Sequence, residues 1–122
     1  MHAHARAKFI RMSPRKIRQV LELIAGKDVN SAQDMLRLSN RPAARKIERV
    51  LKSAVANARD RHSDVDVDDL RIESAVADPG PIIKRRWMPR ARGRATPVLG
   101  RTSHIRIVVG DGREEEEVGS EG

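Results

Sequence analysis

Eight cationic side chains and not one carboxylate lie between Pro79 and Gly110. Like charges at this density repel one another in the free protein, whereas a polyphosphate partner turns the repulsion into attraction and releases condensed counterions. Seven of the eight are arginine, whose planar guanidinium can both fork onto phosphates and stack on unpaired bases. The segment therefore favours RNA as its partner. Its cations are Lys84, Arg85, Arg86, Arg90, Arg92, Arg94, Arg101 and Arg106.

The formal net charge of +8 is distributed unevenly along the 122 residues. Residues 1 to 20 carry +6 and residues 21 to 78 carry −1, whereas residues 111 to 122 carry −5. A nearly neutral middle is typical of a folded body, and the fold is expected to bring both basic segments to a common surface. We predict a single RNA-binding domain over residues 1–110 with an extended hairpin arm over 79–100. Residues 111–122 are predicted to be a disordered acidic tail that avoids phosphate.

A second candidate site lies where the first helix is predicted to begin. Ser13 can cap orphan amides and Pro14 is tolerated at the first helical position, but Arg15, Lys16 and Arg18 follow at once. Three cations have the wrong sign for the helix macrodipole, and a phosphate bound at the free amides would correct this. The alternative is a solvated, charged turn without a ligand.

Trp87 and Gly93 stand out within the cationic arm. An indole in so charged a segment has no evident core to enter, which favours contact with a base or an RNA crevice over packing at the root of the arm. Gly93 either allows the backbone to approach RNA closely or simply permits a turn. Both alternatives stay open for each residue.

Composition argues against several classes of protein. Without cysteine there is no disulfide, thiolate nucleophile or cysteine-ligated zinc, and one Phe with one Trp cannot form a sheet of base-stacking aromatics. The four histidines are scattered and no glycine-rich phosphate loop occurs, so we expect no enzyme activity, cofactor or metal. No apolar run near the N-terminus is long enough for a signal peptide or membrane span, and we expect a cytoplasmic protein.

The spacing of apolar residues predicts the elements that position these side chains. Alternation predicts strands over Ala3–Ile10, from Leu70 to Ala77 and from His104 to Val109, with Phe9 on the apolar side of the first and Val76 on that of the second. Helical spacing predicts helices from Pro14 to Gly26, from a cap at Asn30 or Ser31 to an end near Leu38 to Asn40, and from Pro42 onward. The expected fold is α+β, with three helices packed on a small three-stranded antiparallel sheet.

The arm between the last two of these strands is predicted to be a long, protruding basic β-hairpin. With about ten residues in each limb it would reach roughly 30 Å. Pro89 and Pro97 cannot donate ladder hydrogen bonds, so pairing between the limbs is expected to be interrupted there.

Short motifs along the chain resemble the bacterial type of the large-subunit ribosomal protein twenty-two family. In the body they are Ser13-Pro14-Arg15-Lys16, Gly26-Lys27, Leu51-Lys52-Ser53-Ala54 and Ala56-Asn57-Ala58. In the arm they are Gly80-Pro81, Lys84-Arg85, Pro89-Arg90-Ala91, Gly93-Arg94-Ala95 and Arg101-Thr102-Ser103-His104-Ile105. The resemblance covers roughly residues 5 to 110.

The resemblance implies a structural protein of the large ribosomal subunit that binds ribosomal RNA, aids assembly and lines the nascent-peptide exit tunnel with its hairpin tip. It implies no enzyme activity, and its expected partners are ribosomal RNA, neighbouring large-subunit proteins and the nascent peptide. The rival interpretation is an architectural DNA-binding protein with basic arms. Residues assigned to RNA contact are Arg6, Lys8, Arg11, Ser13, Arg15, Lys16, Arg18, Lys84, Arg85, Arg86, Trp87, Arg90, Arg92, Gly93, Arg94, Arg101, Thr102, Ser103, His104 and Arg106. The tunnel-lining tip is expected to comprise Lys84, Arg85, Met88, Pro89, Arg90, Ala91, Arg92, Gly93 and Arg94.

Overall fold

The computed structural model of the chain describes residues 1–89, 93 and 95–112, with the backbone alone for 84–89 and 96–99. Within these residues the helices and strands follow one another as β1 (His2–Ile10), α1 (Pro14–Ile24), α2 (Val29–Leu38), α3 (Pro42–Arg61), a short 3-10 turn (Val67–Asp69), β2 (Arg71–Pro79), β3 (Ile83–Pro89), β4 (Ala95–Gly100) and β5 (Ser103–Gly110). Among them no helix combines the length and apolar character needed to cross a membrane.

Three strands form one antiparallel sheet in the order β1–β5–β2, so the last strand in the chain lies at its centre. The helices pack on this sheet: α3 contacts β1 and β5, α1 contacts β2, and α2 packs on α3. The predicted α+β fold of three helices on a three-stranded antiparallel sheet is confirmed.

The arm forms a separate two-stranded antiparallel ladder of β3 and β4, with Ile83 opposite Gly100 and Pro89 opposite Ala95. Pro97 lies in register opposite Trp87, and the register shift falls between Lys84 and Arg86. The predicted interruption of strand pairing thus falls nearer the root of the arm than the two prolines. How far the arm protrudes from the body stays a prediction.

A hydrophobic core fills the space between the helices and one face of the sheet. Ile17, Ile24, Ile47 and Leu51 are fully buried at helical spacing, as the sequence predicts. Small residues line the contact between α3 and β1, where Ala54 on the helix and two of the strand's three alanines are buried. Since a small side chain allows a close approach, this contact holds the longest helix firmly on the sheet.

The predicted cap of α2 is wrong by two or three residues. Asp28, and neither Asn30 nor Ser31, is the N-cap, and its carboxylate accepts a hydrogen bond from the backbone N–H of Ser31 at 3.3 Å. The hydrogen bonding of Ser31 to this carboxylate lowers the pKa of Asp28 below its usual value. An ionised carboxylate is the stronger acceptor for the orphan amides of a helix start, which explains why the helix begins earlier. Its end at Leu38 agrees with the prediction.

Two β-bulges reverse the predicted side-chain alternation. In β1 the register shifts between Ala7 and Ile10, and Phe9 lies 61% exposed although alternation predicts it on the apolar side. In β2 the shift between Ile72 and Ser74 turns Val76 outward and buries Ala77. An extra residue in one strand moves all later side chains to the other face, because successive residues point in opposite directions.

Candidate nucleic-acid interface

A cleft of about 780 Å³ opens where the starts of α1 and α3 meet the end of β4. Among the residues that the structure describes, the cleft, called the basic cleft below, is lined by four cationic residues and no carboxylate. Such a surface attracts anions, and its cationic walls concentrate the attraction. It is lined by Arg11, Met12, Ser13, Lys16, Gln19, Arg41, Pro42, Ala43, Gly100 and Arg101.

The two helices begin at the basic cleft without the usual protein caps. The N-cap residues Ser13 and Arg41 make no side-chain hydrogen bond to the first amides, and neither first turn contains an acidic residue. The capping bond predicted for the Ser13 hydroxyl is therefore absent. The partial positive charge of both helix starts adds to the charge of the four cations. A phosphate in the cleft would meet both.

Arg41 is a cleft residue that the sequence analysis does not predict. Its Nη1 donates to Oε1 of Gln19 at 3.1 Å, which ties the start of α3 to α1 across the cleft. One feature of the sequence could have identified it: Arg41 directly precedes Pro42, which opens a helix. A cation at that place adds to the positive end of the helix dipole, where an anion is favoured. The local sequence does not indicate that α1 and α3 start side by side, because this depends on how the helices pack in the fold.

Hydrogen bonds from buried hydroxyls fix the root of the arm beside the basic cleft. Thr102 Oγ1 donates to the carbonyl of Pro81 at 2.6 Å, and Ser103 Oγ donates to the carbonyl of Met12 at 2.6 Å. Thr102 and Ser103, both assigned to RNA contact from sequence, are buried and have these internal partners. A Cβ atom at position 80 would lie only 2.5 Å from Thr102 Oγ1. Only glycine therefore allows the backbone at this position to lie so close to the Thr102 side chain. The two hydroxyls thus position the exposed Arg101 that lies between them and β4.

The outer face of the sheet brings together other predicted cations. Arg6 on β1 lies directly opposite Arg106 on β5, and both side chains are exposed. Like charges directly opposite each other destabilise a sheet, so a bound anion would relieve the repulsion. Lys8 is exposed further along β1, at the end where His104 accepts a hydrogen bond from the backbone N–H of Phe9.

Arg18 lies apart from the basic cleft. Its Nε donates to the carbonyl of Ala77 at 3.0 Å, and it borders a shallow groove between α1 and β2. This hydrogen bond joins α1 to the sheet. Arg15 is exposed on α1, one residue before the cleft's Lys16.

The arm's own site residues are described only in part. β3 includes Lys84, Arg85, Arg86, Trp87, Met88 and Pro89, of which the backbone is described, and Arg90, Ala91, Arg92 and Arg94 lie outside the described residues. Gly93 is exposed with a φ of +72°, a conformation that favours glycine. That backbone geometry supports the turn interpretation of Gly93. The acidic run Glu114–Glu117 also lies outside the described residues.

Comparison with known proteins identifies the family. The model of the family described as Ribosomal protein L22p/L17e matches residues 5–110. The Large ribosomal subunit protein uL22 of Myxococcus xanthus is 46% identical over 114 residues, covering 93% of this chain and 99% of that protein. Proteins of the same name from Staphylococcus haemolyticus and Staphylococcus aureus are each 49% identical over 115 residues, covering 94% of this chain and 97% of theirs. These matches give no support to the DNA-binding alternative, and the chain belongs to the ribosomal protein L22p/L17e family.

Proposed function

We propose that this chain is a structural constituent of the large ribosomal subunit that binds ribosomal RNA and aids subunit assembly. The observation that carries the proposal is the basic cleft, in which four cations and two uncapped helix starts converge, with no carboxylate among the described residues that line it. Backbone phosphates of folded RNA are the polyanion that such a site neutralises. The names of the family's curated members, which are large-subunit proteins, support the same assignment.

The outer face of the sheet supplies a second contact with RNA. Arg6 and Arg106 lie opposite each other there, and neither is among the residues that line the cleft. A protein with cations on two surfaces can bridge RNA segments that are distant in the RNA sequence, which is how it would promote assembly.

The arm reaches from the body into RNA and contributes its tip to the wall of the nascent-peptide exit tunnel. Its paired strands β3 and β4 are seven and six residues long, which corresponds to about 20 Å of ladder. The cations of the arm neutralise phosphates along its path, and the tip residues contact the nascent peptide. The protein acts by positioning and charge neutralisation and performs no catalysis. It works as a monomer within the ribosome of the cytoplasm, beside other large-subunit proteins.

Sedimentation in a sucrose gradient tests the ribosomal assignment. Lysate is washed at high salt before loading, so that loosely held basic proteins dissociate. We expect stoichiometric retention of this chain in the large subunit. Release to the top of the gradient, or sedimentation with DNA, would contradict the assignment.

A photo-crosslinking amino acid tests the tunnel location of the tip. Placed at position 91, it is expected to crosslink to a stalled nascent peptide in purified ribosomes. The matched control carries the same group at Ala56, an exposed position on α3, and should give no nascent-chain crosslink. Equal crosslinking from both positions would refute the tunnel assignment while leaving the RNA-binding proposal intact.

A further inference from the structure

Phe9 has the only positive φ, +59°, among the non-glycine residues that the structure describes. Bulky residues avoid this left-handed region because the Cβ atom crowds the backbone. Phe9 falls within the β1 bulge between Ala7 and Ile10, where a glycine is the usual occupant of a left-handed position. A phenylalanine kept at such a position points to a use for its ring.

The bulge places the ring on the outside of the protein. Without the extra residue, Phe9 would continue the inward series of Ala3 and Ala5, which are buried. With it, Ile10 takes the register position opposite Ser103 and packs partly buried against the core, while Phe9 is 61% exposed. The core therefore does not need the ring, and bulges are known to redirect a side chain in this way.

His104 holds Phe9 in its exposed position by two contacts. The backbone N–H of Phe9 donates to Nδ1 of His104 at 3.1 Å. The two rings also meet edge to face, with centroids 5.0 Å apart and planes at 90°. Because both backbone and ring are fixed, the side chain loses little further freedom when it contacts a ligand.

Two cations lie close to Phe9 in the sequence, and one of them belongs to the basic cleft. Lys8 precedes Phe9 and is exposed, and Arg11, two residues after Phe9, lines the cleft. The carboxylate residue Asp78 lies on β2 opposite His104, and β5 separates it from Phe9 on β1. An exposed aromatic ring beside phosphate-binding cations is the arrangement by which proteins stack on unpaired bases.

We propose that Phe9 is a base-stacking residue, which contacts an unpaired nucleobase of the RNA held by the basic cleft. The inference rests on the proposed RNA binding and adds a contact that depends on the ring and not on charge. The proposal concerns one nucleobase, and a single aromatic side chain is sufficient to stack on it. A protein neighbour covering the ring is the competing explanation, and the experiment below separates the two.

Two substitutions at Phe9 separate the ring from the backbone conformation. Phe9→Gly removes the ring but suits a φ of +59°, so the fold is expected to tolerate it. Phe9→Tyr keeps an aromatic ring. Leu38→Ala is the matched control, since Leu38 is 82% exposed at the end of α2 and outside the cleft lining.

Binding of the full chain to purified large-subunit ribosomal RNA is measured across a salt series. We expect Phe9→Gly to weaken binding about tenfold at every salt concentration, within the range for one stacked base. The slope of log affinity against log salt should not change, because no phosphate contact is lost. Phe9→Tyr and the Leu38 control should bind as the unaltered chain does, and thermal unfolding should show that Phe9→Gly is folded.

Ultraviolet crosslinking of intact large subunits gives a second readout. A direct crosslink between Phe9 and a nucleotide supports stacking, whereas a crosslink to a neighbouring protein overturns it. If the unaltered chain binds RNA with a steep salt slope and Phe9→Gly binds equally well, this inference fails and the proposed function stands. If the unaltered chain does not bind RNA, both fail.

Discussion

Replacing the four cations of the basic cleft by glutamine removes their charge and keeps a long polar side chain at each position. The variant carries Arg11→Gln, Lys16→Gln, Arg41→Gln and Arg101→Gln, all of which line the cleft. Each phosphate contact contributes about 0.7 to 0.9 to the slope of log affinity against log salt. If each cation neutralises one phosphate, the slope for binding to large-subunit ribosomal RNA should become shallower by about 3.

A control variant of equal charge tests whether the position of these cations matters. It carries glutamine at four exposed cations outside the cleft: Lys27, Arg37, Arg49 and Arg59. Both variants lose the same net charge, so the long-range attraction of RNA falls equally in both. Filter binding across a salt series should show the loss of slope in the cleft variant alone. Equal slopes in the two variants would refute the cleft as a phosphate site.

The cleft variant is expected to remain folded, because its four positions lie at the surface. Within the described part of the chain, the side-chain hydrogen bond that it removes is the exposed one between Arg41 and Gln19. A bond of this kind contributes about 1 kcal/mol at most in water. Circular dichroism during thermal unfolding checks this expectation before binding is compared.

Three further predictions concern the root of the arm, the cap of α2 and the acidic tail. Ser103→Ala should destabilise the protein by about 1 to 3 kcal/mol in urea unfolding, because the partly buried carbonyl of Met12 loses its donor; an unchanged midpoint would contradict this. The pKa of Asp28 is lowered on folding, so its contribution to stability is complete above its ordinary value of 3.8 and is lost as the pH falls through the lower folded value. The stability difference between the unaltered chain and Asp28→Asn should therefore shift in favour of the variant on going from pH 7 to pH 2, and parallel curves would refute the assignment. Deleting residues 113–122, which carry five Glu and one Arg, should tighten RNA binding because the tail repels phosphate. The affinities of the truncated and the intact chain are compared across a salt series.

The helices are predictable from sequence because their pattern is local. Ile17, Ile47 and Leu51 recur at helical spacing and are fully buried, and α1 and α3 start at the prolines that the sequence indicates. The bulges are not predictable in this way. An added residue in β1 or β2 leaves no mark in composition, although it reverses the sides of Phe9 and Val76.

The candidate site is predictable in its charges but not in its arrangement. Arg11, Lys16 and Arg101 are assigned from sequence and do line one cleft, whereas Arg41 joins them only because α3 starts beside α1. The hydroxyls of Thr102 and Ser103 look equally available in the sequence. Their partners are main-chain carbonyls far along the chain, and a linear pattern cannot show such contacts.

The central position of β5 determines when the sheet can form during translation. β1 and β2 touch β5 on either side and do not pair with each other, so a growing chain that has not yet produced Ser103–Gly110 cannot assemble its sheet. The same strand contributes Ser103, which secures the loop after β1, and closes the base of the arm. Until that strand has been synthesised, the cationic surfaces are dispersed along an unfinished chain. If the basic cleft recruits the protein to a ribosomal particle, as proposed above, recruitment has to wait until translation has passed β5.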